Sequence, residues 1–120
     1  MEIKKRTLWS TLIIVVIIAL LIWTILPSKQ DNPGISEELA KCISENSIYY
    51  AQTGCSACKI QEELFGSSAK YLNKIDCVYE REACNQAQIT ATPTWIINEQ
   101  KYVGVQSIEK LKEFTGCNLD

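Results

Sequence analysis

The sequence predicts an α/β domain, a short mixed sheet flanked by helices, set behind a single N-terminal transmembrane helix. Three observations predict it. Thr7 to Leu26, TLWSTLIIVVIIALLIWTIL, is an unbroken apolar run without a charged residue. From Ser36 onward, amphipathic segments alternate with β-branched and aromatic ones in the order α-β-α-β-α-β-β-α. Between the first strand and the helix after it, "YAQTGCSACKIQEELFG" sets Cys55 and Cys58 three residues apart.

The apolar run has 20 residues, a helix of roughly 30 Å at about 1.5 Å per residue, enough to cross the hydrocarbon of a bilayer. Trp9 and Trp23 stand near its ends, where amphipathic rings favour the interface. Lys4, Lys5 and Arg6 precede it, and only Pro27, Ser28 and a lone Lys29 open its far side. The positive-inside bias puts residues 1–6 in the cytoplasm and everything beyond the span outside. A cleaved signal peptide would carry a shorter apolar region, roughly 7–15 residues, and a small-residue site such as A-x-A. Neither is present, so residues 7–26 read as an uncleaved signal anchor. Residues 27–35, PSKQDNPGI, carry two prolines and a glycine and read as a linker. The domain then occupies residues 36–120, about 85 residues able to bury a modest core that crosslinks would help.

Ser36 N-caps a helix through Asn46, with Glu37 and Glu38 in its first turn and Leu39, Ala40 and Ile43 on one face. SIYYAQ, Ser47 to Gln52, is β-branched and aromatic and reads as a strand that Thr53 and Gly54 break. After Cys55 the spacing of Ile60, Leu64, Ala69 and Leu72 predicts a helix with those residues inward and Gly66 as a bend. KIDCVY reads as a short strand, followed by a helix around Glu82 to Gln88. TPTWIIN, Thr92 to Asn98, predicts a strand that pairs with KYVGV across a turn near Glu99 and Gln100. Ser107 caps a last helix with Ile108, Leu111 and Phe114 along one side.

From Ser36 to Asp120 there are 8 Lys and Arg against 12 Asp and Glu, a net charge of 8 − 12 = −4. That balance argues against nucleic acid and anionic lipid headgroups as partners, and reads as a solubilising surface. The six cysteines are Cys42, Cys55, Cys58, Cys77, Cys84 and Cys117, and there is no histidine. An even count outside the cytoplasm suggests disulfides. Sequence alone does not choose among the fifteen pairings; local spacing favours Cys55–Cys58, Cys77–Cys84 and Cys42–Cys117. A zinc site would need Cys55, Cys58, Cys77 and Cys84 as four thiolates, but the second pair lacks zinc-ribbon spacing and the compartment is oxidising. No metal is expected.

A cysteine at the first turn of a helix meets unsatisfied backbone N–H groups and the positive end of the dipole. Its pKa falls and it becomes a thiolate near neutral pH, the form that both attacks and leaves in disulfide exchange. Cys55 would be the exposed sulfur that partners meet, and Cys58, one turn in, would close the disulfide. The alternative is an inert staple.

CxxC after a strand, with TPT about 35 residues later before another strand, resembles the thioredoxin fold. "YAQTGCSACKIQEELFG" and "ATPTWIINEQKYVGVQSIEKLKEFTG" look like the thioredoxin-like domain fused to, or paired with, membrane homologues of vitamin K epoxide reductase. The resemblance runs from Tyr50 to about Gly116 and includes Gln61, Phe65, Trp95, Gly104, Val105 and Gln106, which carry no thiol chemistry. It implies that Pro93 is cis and lies against the cysteine pair, with the backbone at Thr92 and Pro93 binding the partner chain. It implies that the redox-active disulfide is the only prosthetic element, with quinone reached indirectly through the membrane enzyme. It also implies exported protein thiols as substrates and a vitamin K epoxide reductase-like protein as the membrane partner. Four positions depart from thioredoxins: Ser56 and Ala57 between the cysteines, Gly54 where tryptophan is common, and Tyr49 where reducing members often bury an Asp.

The leading function is a membrane-anchored oxidant that forms disulfides. The same fold could instead reduce disulfides, as in cytochrome maturation, or could be a non-catalytic scaffold stapled by three disulfides. Cys77 and Cys84 fit either a structural disulfide or a second redox pair.

Overall fold

A computed structural model describes residues 2–25 and 34–119. Leu26, Pro27, Ser28, Lys29 and most of the expected linker lie outside the described residues. The chain divides into two units, Met1–Gln30 and Asp31–Asp120.

In the first unit, α1 (Glu2–Ile25) is long and apolar enough to cross a membrane over Ile3–Ile25. Its apolar side chains are exposed all round. Its threonines do not break that pattern. The hydroxyls of Thr7, Thr11 and Thr24 donate back to the carbonyls of Ile3, Leu8 and Leu21, so they present no unsatisfied donor.

In the second unit the elements run α2 (Glu37–Glu45), β1 (Ile48–Ala51), α3 (Ser56–Phe65), a 3₁₀ turn (Gly66–Tyr71), β2 (Lys74–Asp76), α4 (Arg81–Gln86), β3 (Thr94–Ile97), β4 (Gln100–Val103) and α5 (Ile108–Thr115). This is the expected α-β-α-β-α-β-β-α order. The sheet order is β2-β1-β3-β4, with β1 and β2 parallel and β1–β3 and β3–β4 antiparallel. A βαβ unit joined to a β-hairpin and a closing helix is the thioredoxin-like architecture.

The caps explain the helix starts. Ser36 Oγ accepts from Leu39 N–H and Ser107 Oγ from Lys110 N–H, each at 3.3 Å, satisfying a donor that the first turn leaves free. Asn98 and Glu99, at φ 50° and 66°, form the tight two-residue turn that joins β3 to β4. The turn thus falls one residue before the expected Glu99–Gln100.

The core is built on Trp95, fully buried in β3. Tyr49 lies 4.6 Å from it and Phe65 5.8 Å, ring centre to ring centre, with Ile43, Ile97 and Leu111 around them. Aromatic pairs at such distances add to the burial of their area.

Two expectations are corrected. Ile60 and Leu64 do not face inward; they are 53% and 39% exposed, and α3 buries Cys58, Gln61 and Phe65 instead. The true stripe is the i, i+3, i+7 series that starts at Cys58, and it contains a polar residue, so apolar spacing selects the neighbouring face. KIDCVY is a strand only to Asp76, because the Asp76 carbonyl and carboxylate take up the N–H groups of Val78, Tyr79 and Glu80 and turn the chain.

Candidate active site

Cys55 is the N-cap residue of α3, at φ −80° and ψ 114°. Strand β1 ends at Ala51, and Gly54, at φ +86°, turns the chain into the helix with a backbone that L side chains rarely adopt. Cys55 is half-buried, whereas Cys58, one turn into the helix, is 3% exposed. The two form a disulfide with Cα atoms 5.3 Å apart. The N–H of Cys58 points at Cys55 Sγ from 3.1 Å. That donor and the helix dipole favour negative charge on Cys55 when the disulfide opens.

Across from the pair, the Thr92–Pro93 peptide is cis and Pro93 is fully buried. The Thr92 carbonyl oxygen lies 3.6 Å from Cys55 Sγ. The Pro93 carbonyl accepts from Gly104 N–H at 2.8 Å, which ties this loop to the segment after β4. The structure therefore brings Cys55, Cys58, Thr92 and Pro93 together.

Under the pair lies Tyr49, whose hydroxyl donates to the Cys58 carbonyl at 3.2 Å. Burial, and secondarily the nearby Glu62 carboxylate, push its phenol well above the ordinary tyrosine value. It is a neutral hydrogen-bond donor in the working pH range. Glu62 itself pairs with Lys74 at 2.7 Å.

The other cysteines stand apart from this site in two disulfides. Cys42 in α2 pairs with Cys117 after α5, and Cys77 after β2 pairs with Cys84 in α4. Cys84 is buried and Cys77 half-buried.

Sequence reasoning did not see the buried Gln61 as part of the site's frame. Its Oε1 accepts from Trp95 Nε1 at 3.0 Å and from Gln106 N–H at 2.7 Å, and its Nε2 donates to the Gln106 carbonyl at 3.0 Å. One side chain thereby joins α3, β3 and the start of the loop into α5. Its place three residues after Cys58 and four before Phe65 was the available signal.

No family model matches the chain. Over 80 residues, 59% of this chain, the sequence is 39% identical to thiol-disulfide oxidoreductase LTO1 of Arabidopsis thaliana; the match covers 21% of that protein. The chain thus spans about a fifth of the length of the curated relative it matches. Among solved structures, a chain from work on the thiol-resolving mechanism of a yeast mitochondrial 1-Cys peroxiredoxin overlaps 68% of this chain and 90% of its own, with a TM-score of 0.47 and 17% identity. That overlap is too loose to bear on function. The C-terminal unit thus has the thioredoxin-like sheet topology and is similar in sequence to a thiol–disulfide oxidoreductase.

Proposed function

We propose that the chain is a membrane-anchored thiol–disulfide oxidoreductase that oxidises the thiols of exported proteins through Cys55 and Cys58. The supporting observation is the Cys58 N–H held 3.1 Å from Cys55 Sγ at a helix start. Stabilising the Cys55 thiolate favours the reduced form of the pair, which makes its disulfide a stronger oxidant. A substrate thiolate attacks Cys55 Sγ, the Cys55–Cys58 bond breaks, and Cys58 leaves as a thiolate. A second substrate thiolate then attacks the substrate sulfur of the mixed disulfide and expels the Cys55 thiolate. Two electrons have moved from substrate to the pair, and two thiol protons have been released or taken up by the new thiolates. The backbone at Thr92 and Pro93, beside Cys55, is the surface on which the substrate chain would lie.

In this reading α1 holds the domain at the membrane, with Lys4, Lys5 and Arg6 on the cytoplasmic side and the domain outside. Cys55 and Cys58 are reoxidised by a separate vitamin K epoxide reductase-like membrane protein, the partner that the sequence resemblance implies. The chain itself needs no cofactor and no metal, and Cys42–Cys117 and Cys77–Cys84 serve as structural disulfides.

The test mixes the oxidised full chain, in detergent, with a reduced two-thiol substrate protein and counts free thiols. The expected result is one substrate disulfide per chain and no transfer by Cys55→Ser. No transfer by the wild-type chain, or equal transfer by Cys55→Ser, would sink the reading.

A further inference from the structure

Because β1 and β2 are parallel and Ala51 stands opposite Asp76, the two strands end side by side. Thr53, Gly54 and Cys55 follow one, and Cys77 follows the other. Asp76 touches both continuations. Its Oδ2 accepts from Thr53 Oγ1 at 2.6 Å, and its Oδ1 accepts from Thr53 N–H at 3.2 Å and from Val78 N–H at 2.9 Å. Its carbonyl accepts from Tyr79 and Glu80 N–H at 3.0 and 2.8 Å, and its own N–H donates to Glu80 Oε1 at 3.3 Å. Cys77 N–H continues the ladder to the Ala51 carbonyl at 2.8 Å. The turn that Asp76 organises is closed covalently by Cys77–Cys84, seven residues apart.

Thr53 is exposed, and its hydroxyl is tied down by the short bond to Asp76. It lies two residues before Cys55, whose N–H donates to the Gln52 carbonyl at 3.0 Å. Loosening Thr53 therefore loosens the turn that aims Cys55 Sγ at the Cys58 N–H. We infer that Asp76 is a positioning residue for Cys55, and that the Cys77–Cys84 disulfide holds Asp76 in place, so the second disulfide sets the reactivity of the first pair without exchanging electrons with it. The inference rests on the proposed function, in which Cys55 is the reactive sulfur.

The test uses the full chain in detergent micelles with Cys58→Ser, which leaves Cys55 as the free thiol and keeps the backbone N–H at position 58. The rate of iodoacetamide alkylation of Cys55 is followed from pH 4 to 9. Thr53→Val removes the hydroxyl bond and leaves the Asp76 contact with Val78 in place. It is expected to slow alkylation at pH 6 by roughly five- to tenfold, the size of one weakened charge-assisted hydrogen bond. Thr53→Ser should restore the rate, and Thr53→Val should leave the thermal midpoint within a few degrees of the parent. Cys77→Ser with Cys84→Ser should slow alkylation similarly, and Thr53→Val added to that pair should slow it less than twofold further, the non-additive result of a shared path. A Thr53→Val profile within twofold of the parent at every pH overturns the inference while a depressed parent pKa leaves the proposed function standing. Effects that simply multiply also overturn it. A parent that titrates near the ordinary cysteine value of about 8.5 overturns both.

Discussion

Gln61 accepts a hydrogen bond from the indole N–H of Trp95 at 3.0 Å, and both side chains are fully buried. The bond joins the helix that carries Cys58 to the strand that Pro93 opens. With the two bonds to Gln106 it satisfies every polar atom of a buried amide. Replacing Gln61 by Leu keeps the volume but strands the Trp95 and Gln106 N–H groups. The expected loss is about 2–4 kcal/mol, read as a lower denaturant midpoint with an unchanged slope in a fragment starting at Asp31. A midpoint unchanged by Gln61→Leu would mean that water replaces the amide without cost.

Gly34 has φ +58°, and a Cβ built there runs into the backbone carbonyl of Phe65, at the end of α3. Both the conformation and the space require glycine. Gly34→Ala should destabilise the domain by about 2 kcal/mol or more, measurable as a drop in thermal midpoint. Ser67→Ala, at an exposed neighbouring position, serves as the control.

Cys42 and Cys117 are 75 residues apart and tie α2 to the end of α5. Closing a loop of that length stabilises by about 4–5 kcal/mol through the entropy of the unfolded chain. Cys42→Ser with Cys117→Ser should lower the denaturant midpoint accordingly. The Cys55–Cys58 pair should keep its reduction potential within about 10 mV, since neither residue contributes to the site.

The Asp76 carboxyl is held below the usual carboxylate range, first by the Thr53 hydroxyl, then by the Val78 N–H, with Lys74 adding a smaller pull. Its folded pKa lies below its unfolded one, so its contribution is present above the unfolded value of about 3.9 and is lost as pH falls through the folded pKa. Asp76→Asn should be less stable than wild type at pH 7, and the gap should close below about pH 4. A gap independent of pH would show that the carboxylate charge is immaterial.

The parts of this fold written as local chemistry were legible. Ser36 and Ser107 announce their helices because a hydroxyl caps orphan N–H groups whatever the tertiary context. The strand–glycine–cysteine series announced the site because only a break at Gly54 lets Cys55 start a helix. Less legible were features decided by the far side of the fold. Gln61 looks like a surface residue until Trp95 and Gln106 close around it, so Ile60 and Leu64 took its place on the inward face. Asp76 read as the middle of a strand because its turn-forming role depends on Thr53, 23 residues earlier. Of the residues that carried the family resemblance without thiol chemistry, Gln61, Phe65, Trp95, Gly104 and Gln106 turn out to brace the helix and the Pro93 loop.

The most direct test of the central claim is the reduction potential of the Cys55–Cys58 pair, equilibrated against glutathione and read by alkylation of those two thiols. The account predicts a reversible two-electron couple at roughly −120 to −200 mV, the range of disulfide-forming oxidants. A value near about −270 mV or below would assign the site to disulfide reduction instead. A pair that never titrates reversibly would contradict the account outright and leave Cys55–Cys58 a staple.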